Sequence, residues 1–128
     1  MLKNIDIFSG YSVRDRGESL KFYKEVLGLS VAETDEGLNI QLKNGGKLFL
    51  YQKPDHSPAS FTVLNLVVED IDQAVDELRA DGIDLENYDV GEMKADENGI
   101  YRGSAAGRGP DIAWFKDPSG NILSVIQN

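Results

Sequence analysis

Residues 68–82, VEDIDQAVDELRADG, spell out a whole helix with both of its ends. Asp70 stands at the N-cap position and Gln73 follows at the spacing of a capping box. Ile71, Ala74, Val75 and Leu78 form one apolar stripe, and Gly82 supplies the stop. Residues 13–28, VRDRGESLKFYKEVLG, follow the same grammar: Asp15 caps, Glu18 follows at the same spacing, Leu20, Tyr23 and Leu27 form the stripe, and Gly28 ends it. A strand candidate runs into each Val-x-Asp, IDIFSGYSV at 5–13 and FTVLNLVV at 61–68. Three further candidates follow each helix, namely LSVAET, LNIQL and KLFLYQK after the first, and DLENYDV, IAWFK and NILSVIQ after the second. The chain therefore reads as one domain over 1–128 made of two βαβββ modules, about 1–54 and 60–128, with PDHSPAS at 54–60 as the linker.

A small sheet with a helix on one face leaves the other face bare, so the two halves are expected to close around their bare faces or to pack edge to edge. Alternation sorts the residues. On the first strand Ile5, Ile7, Tyr11 and Val13 oppose Asp6, Phe8, Gly10 and Ser12; on its counterpart Leu64, Leu66 and Val68 oppose Val63, Asn65 and Val67. The more uniformly apolar set belongs under the helices, which leaves Phe8, Val63 and Asn65 on the bare side, and a bulge near Gly10 would slip this register. In the closing strand Ser124 shares a face with Ile122 and Ile126 and is expected on that side too.

At 128 residues and 41% apolar composition the chain has material for a real core, and no run is long enough to span a membrane. With no cysteine, neither a disulfide nor a thiolate metal site is possible, and the N-terminus lacks the apolar segment of a signal peptide; the expected location is the cytoplasm. A net charge of −9 without a basic patch argues against nucleic acid. That acidity serves solubility or attracts a cationic ligand. Residues 91–110, GEMKADENGIYRGSAAGRGP, are too polar and glycine-rich for a packed element and are the candidate lid.

The stretches FYKEVLGL, VEDIDQAVDELRADGI and WFKDPSGNILSVIQ, together with the first strand, make the chain resemble the vicinal oxygen chelate superfamily, which includes glyoxalase I, extradiol dioxygenases, fosfomycin-resistance enzymes and bleomycin-resistance proteins. The closing DPSGN before a strand is the most specific element. KPDHSPASFTVLNLVVEDIDQAVDEL, DENGI and IAWFKDPSGN look like a group of small bacterial members. The resemblance implies an α+β fold in which the modules form a curved, incompletely closed mixed sheet around a cleft with helices outside, and it implies a homodimer.

In metal-using relatives the ligands are a histidine on each module's first strand and a glutamate on each module's last. The internal repeat maps those positions to Phe8, Val63, Ser124 and, counting from Gly46, Leu50; counting from Gly45 gives Phe49 instead. None is a normal ligand, since transition metals want imidazole, thiolate or carboxylate, and the chain has a single histidine. No metal and no cofactor is therefore expected.

What remains is a mostly apolar site of Phe8, Leu50, Val63, Asn65, Trp114 and Ser124, either a small-molecule pocket or plain core. Trp114 and Tyr51 either stack on an aromatic ligand or pack. His56 is the one group with a near-neutral unperturbed pKa, yet it sits between Pro54 and Pro58, where it caps a turn or meets solvent. The function expected is metal-independent binding of a small molecule in the cleft. The alternative is a metal-free lyase or isomerase using His56 or a lid carboxylate such as Glu97 as acid or base.

Overall fold

Both helices begin where their aspartates cap them. In the computed structural model, which describes residues 1–88, 91 and 94–128, the Asp15 carboxylate accepts from the Glu18 N–H at 2.8 Å and that of Asp70 from the Gln73 N–H at 3.1 Å. Only half of each capping box forms, because the Glu18 carboxylate accepts from Arg14 and the Gln73 amide donates to Glu77. A glutamine from the end of each module's last strand adds a second cap. Gln52 Oε1 accepts from the Arg16 N–H at 2.8 Å and Gln127 Oε1 from the Ile71 N–H at 2.9 Å, satisfying donors that a helix leaves open.

The first unit, Met1–Pro58, runs β1 (Ser9–Val13), α1 (Arg16–Lys21) widening into a π-helical turn (Phe22–Val26), β2 (Ser30–Glu33), β3 (Leu38–Gln41) and β4 (Lys47–Gln52), with sheet order β1-β4-β3-β2. The second unit, Ala59–Asn128, runs β5 (Thr62–Val67), α2 (Ile71–Ala80), β6 (Tyr101–Arg102), β7 (Asp111–Lys116) and β8 (Ile122–Gln127), in the order β5-β8-β7-β6. In each unit the first strand lies parallel to the last and the other pairs are antiparallel. The βαβββ repeat is thus real. No helix among the described residues is long and apolar enough to cross a membrane.

Each sheet buries one face under its helix. In the first unit Val13, Leu38, Ile40, Leu48 and Leu50 are buried with Phe22 and Tyr23, and the hydroxyls of Tyr11 and Tyr23 meet at 2.7 Å. In the second, Ala113, Phe115, Leu123 and Val125 are buried with Ile71, Val75 and Leu78 of α2. The turn between β7 and β8 explains the DPSGN sequence. The buried Asp117 carboxylate accepts from the N–H groups of Ser119 and Asn121 and from the Asn121 amide at 2.8–3.0 Å, tying the turn to one side chain.

Three expectations need correcting. Strand β1 starts at Ser9, not at residue 5, so Ile5, Ile7 and Phe8 lie exposed ahead of it. A register slip does occur, in β5: the pairing with β8 shifts between Thr62 and Leu64, leaving Val63 without a partner. DLENYDV does not form a strand over its described part; it contributes one bridge, Glu86 to Trp114, while Asp89 and Val90 lie outside the described residues. The short third strand, β6, comes instead from inside the stretch expected to be irregular.

Candidate functional site

From the closing turn through the last strand, the two modules match residue by residue in their own hydrogen bonds. Gly10, five before the cap Asp15, pairs with Phe49; Asn65, five before the cap Asp70, pairs with Ser124. The turns agree. Gly45 has φ +88° and donates to the Leu42 carbonyl, just as Gly120 has φ +82° and donates to the Asp117 carbonyl. The capping glutamines, Gln52 and Gln127, stand three residues beyond Phe49 and Ser124. Phe49 is therefore the counterpart of Ser124. Leu50 is in register with Tyr11 on the helix-packed face and fully buried, so it does not belong to the helix-free face where the sequence reading put it. The cause is the Gly45-Gly46 pair, which allows two turn positions one residue apart, and one residue reverses a strand's faces.

On the first module's helix-free face the Phe49 ring stacks on Tyr51 at 5.9 Å and 21°, and Phe8 meets it edge-on at 6.4 Å and 86°. The Lys47 ammonium lies 4.6 Å from the centre of the Phe8 ring. Asn39 is in register with Phe49. Phe8, Asn39, Lys47 and Phe49 with the turn 34–36 line a hollow of about 400 Å³. Of the proposed site residues of this module only Phe8 lines it; Phe49 is the alternative reached by counting from Gly45, and Asn39 and Lys47 were not singled out. His56 is half-buried on the linker with its Nδ1 2.7 Å from Ser12 Oγ, so it meets β1 rather than only solvent.

The second module fills the same face with its own hydrogen bonds. Ser124 Oγ donates to Asn65 Oδ1 at 2.6 Å, and Ser124 is 0% exposed. Trp114, in register with Ser124, donates its indole N–H to Thr62 Oγ1 at 2.9 Å, while Tyr101 and Tyr88 pack edge-on against it at 5.0 and 5.6 Å. Val63, Asn65, Trp114 and Ser124 do share a stretch of sheet. Thr62 is the partner the bulge hid.

The described part of the 91–110 stretch is tied down, while Glu92 and Met93 lie outside the described residues. Ala95 bridges to Tyr101 across a turn in which the Asp96 carboxylate accepts from the N–H groups of Asn98 and Ile100. The Tyr101 hydroxyl accepts from the Tyr88 N–H at 2.6 Å and donates to its carbonyl at 2.9 Å. Arg102 is the anchor: it donates twice to Asp72 at the start of α2, at 2.6 and 3.2 Å, and to Asp96 at 3.0 Å, and it lies 3.8 Å from Asp111. Asp72 and Asp96 drive the Arg102 pKa up. Burial alone would raise the Asp96 pKa, but the Ile100 N–H and Arg102 outweigh it and hold the carboxyl below its ordinary range. The Ser104 hydroxyl, with its N–H and Arg102, does the same for Asp111. Burial, then Glu86, pushes the Tyr88 phenol up, and its hydroxyl is buried with no partner among the described residues. Glu97 is exposed and lines a different hollow of about 620 Å³ at the end of α2, with Arg79, Asp84 and Asn87.

Among the described residues no three His, Cys, Asp or Glu side chains cluster as a metal would require. Even the three carboxylates around Arg102 converge on a guanidinium instead.

Solved structures of the same fold include the antibiotic-binding protein TnmS3 from Streptomyces sp. CB03234, with 22% identity, TM-score 0.65 and 97% of each chain covered. A glyoxalase/dioxygenase from Nostoc punctiforme shows 20% identity and TM-score 0.63 over 98% of this chain and 91% of that one. A virulence protein from Salmonella typhimurium shows 20% identity and TM-score 0.62 over 99% and 98%. No curated protein matches the chain in sequence. Residues 5–125 match a family defined across nearly the whole chain, and the protein belongs to the Glyoxalase/Bleomycin resistance protein/Dioxygenase superfamily.

Proposed function

We propose that the protein binds a small organic molecule without a metal, on the helix-free face of its first module. The observation that carries this reading is the hollow of about 400 Å³ lined by Phe8, Phe49, Asn39 and Lys47, an aromatic wall with a few polar groups. Superfamily membership and the antibiotic-binding protein among the solved structures of this fold support small-molecule binding in general. Metal independence is supported by the side chains at the four symmetric positions, Phe8, Phe49, Val63 and Ser124, which offer neither imidazole nor carboxylate. We further propose a cytoplasmic homodimer, in which exposed Ile5, Ile7, Phe61 and Val67 give a second copy apolar surface to cover.

Native mass spectrometry of protein purified from cells, with metal analysis of the same sample, tests the main reading. A retained organic adduct that Phe49→Ala loses, with no stoichiometric transition metal, is the expected result. Near-stoichiometric zinc, nickel, manganese or iron bound through the sheet residues would overturn it. Sedimentation at micromolar concentration tests the dimer, and monomer alone would refute it.

One observation favours a second reading. His56 Nδ1 is 2.7 Å from Ser12 Oγ, the residue in register with Tyr51, which places the chain's one imidazole beside the same sheet face. A metal-free lyase or isomerase would draw its acid or base from His56. In that case His56→Ala abolishes turnover of a retained ligand and leaves its binding intact; under the binding reading there is no turnover to lose.

A further inference from the structure

The first module's hollow has aromatic walls and an acidic rim. The Phe49 ring lies close against the bare backbone of Gly37 in the β2–β3 turn, where an added Cβ would stand 3.0 Å from two of its ring carbons. The ring is stacked with Tyr51 and stands nearly perpendicular to Phe8. At the rim Asp35 and Glu36 are exposed, and neither carboxylate has an ion-pair partner among the described residues. The cations nearby are already engaged. Arg16 reaches the same turn but donates to the carbonyls of Thr34 and Asp35 at 2.9 and 3.0 Å, with Glu33 at 3.9 Å, and Lys47 lies over Phe8.

We propose that this hollow takes a planar aromatic molecule bearing a positive charge, its ring laid beside Phe49 and its cationic group on Asp35 and Glu36. The inference rests on the hollow being the ligand site, as proposed above. Flat rings gain from offset or edge contact with Phe49 and Phe8, and a cation gains further from their faces. Glu33, Asp35 and Glu36 against Arg16 and Lys47 leave this turn and rim with one net negative charge, and the chain's charge of −9 draws cations toward it at long range. Asn39 adds an amide that orients a polar substituent.

Titration of proflavine, a planar cation, against anthracene-9-carboxylate, a planar anion, followed by fluorescence anisotropy, reads both parts of the claim. Proflavine should bind at least about tenfold tighter, with the margin shrinking as salt rises. Asp35→Asn with Glu36→Gln should weaken proflavine by about three- to tenfold. Phe49→Leu, which keeps the apolar volume and loses the flat ring, should weaken both probes by about three- to tenfold in a protein whose unfolding curve is unchanged. Asp76→Asn with Glu77→Gln on the exposed side of α2 should change nothing. If both probes depend on Phe49 but bind equally and ignore Asp35 and Glu36, the ligand class is wrong and the site stands. If neither binds, or if proflavine ignores Phe49, the site reading falls with it. Equal loss in the α2 control means nonspecific attraction and overturns the proposal.

Discussion

The two modules share their caps, turns and registers, yet their helix-free faces have opposite characters. Phe49 and Ser124 occupy one symmetric position. In the first module it holds a half-exposed ring beside a hollow; in the second it holds a hydroxyl that is 0% exposed and donates to Asn65. Their neighbours on the adjacent strand differ in the complementary sense, Asn39 in one and Trp114 in the other. The aromatic ring thus stands on the last strand in the first module and on that strand's antiparallel neighbour in the second, where the last strand carries a hydroxyl. The repeat preserves the parts that build the scaffold, while the face opposite the helix is free to be emptied or filled.

The sharpest break of this comparison is the pair Leu50→Ala and Phe49→Ala. Leu50 is fully buried on the helix side, so its truncation should cost about 2–5 kcal/mol in urea unfolding, whereas Phe49→Ala should cost less than half as much. Equal losses would mean that Phe49 is core and the hollow is not a site. A smaller effect is expected from Ser124→Trp. Because Ser124 is enclosed and bonded to Asn65, the bulky ring should overpack the second module at about 1–3 kcal/mol. Unchanged stability would reveal room there that the first module was thought to hold alone.

These outcomes bear on what was legible in the sequence. Asp15, Gly28, Asp70 and Gly82 marked both helices because caps are local chemistry, written in residues next to the ends they close. The face of Ser124 could be read by alternation because the turn before β8 has one glycine, while the face of Trp114 was left open. Phe49 was ambiguous for the opposite reason, two glycines in a row. Thr62 was hidden by a bulge that no local pattern marks, and β6 is too short for alternation to register. The Arg102 anchor depends on Asp72, 30 residues away, a distance no spacing rule spans.

The smallest expected effect is that of pH on the second module alone. Asp96 and Asp111 have pKa values held below the ordinary 3.8, so unfolding takes up protons below that range. Their contribution is complete above the ordinary aspartate value and is lost as pH falls through the depressed folded values. Arg102→Ala should lessen this acid limb without abolishing it, because the Ile100 N–H still holds Asp96 down and the Ser104 hydroxyl still holds Asp111 down, while α1 and its sheet stay unaffected, as followed by the amide signals of each module through an acid titration. An identical acid limb in the variant would show that Arg102 does not hold the two carboxylates down.

The glutamine caps bear on the order in which the chain organises itself. Gln52 closes the first donor of α1 from 36 residues downstream, and Gln127 closes that of α2 from 56. Neither helix start can be sealed until the last strand of its own module has arrived, so protection of that amide reports a finished sheet rather than a seed. Loop closure costs more over the longer span, which puts the first module ahead in time. Pulsed hydrogen exchange during refolding should protect the Arg16 amide before that of Ile71; simultaneous protection would mean that both sheets close in a single step.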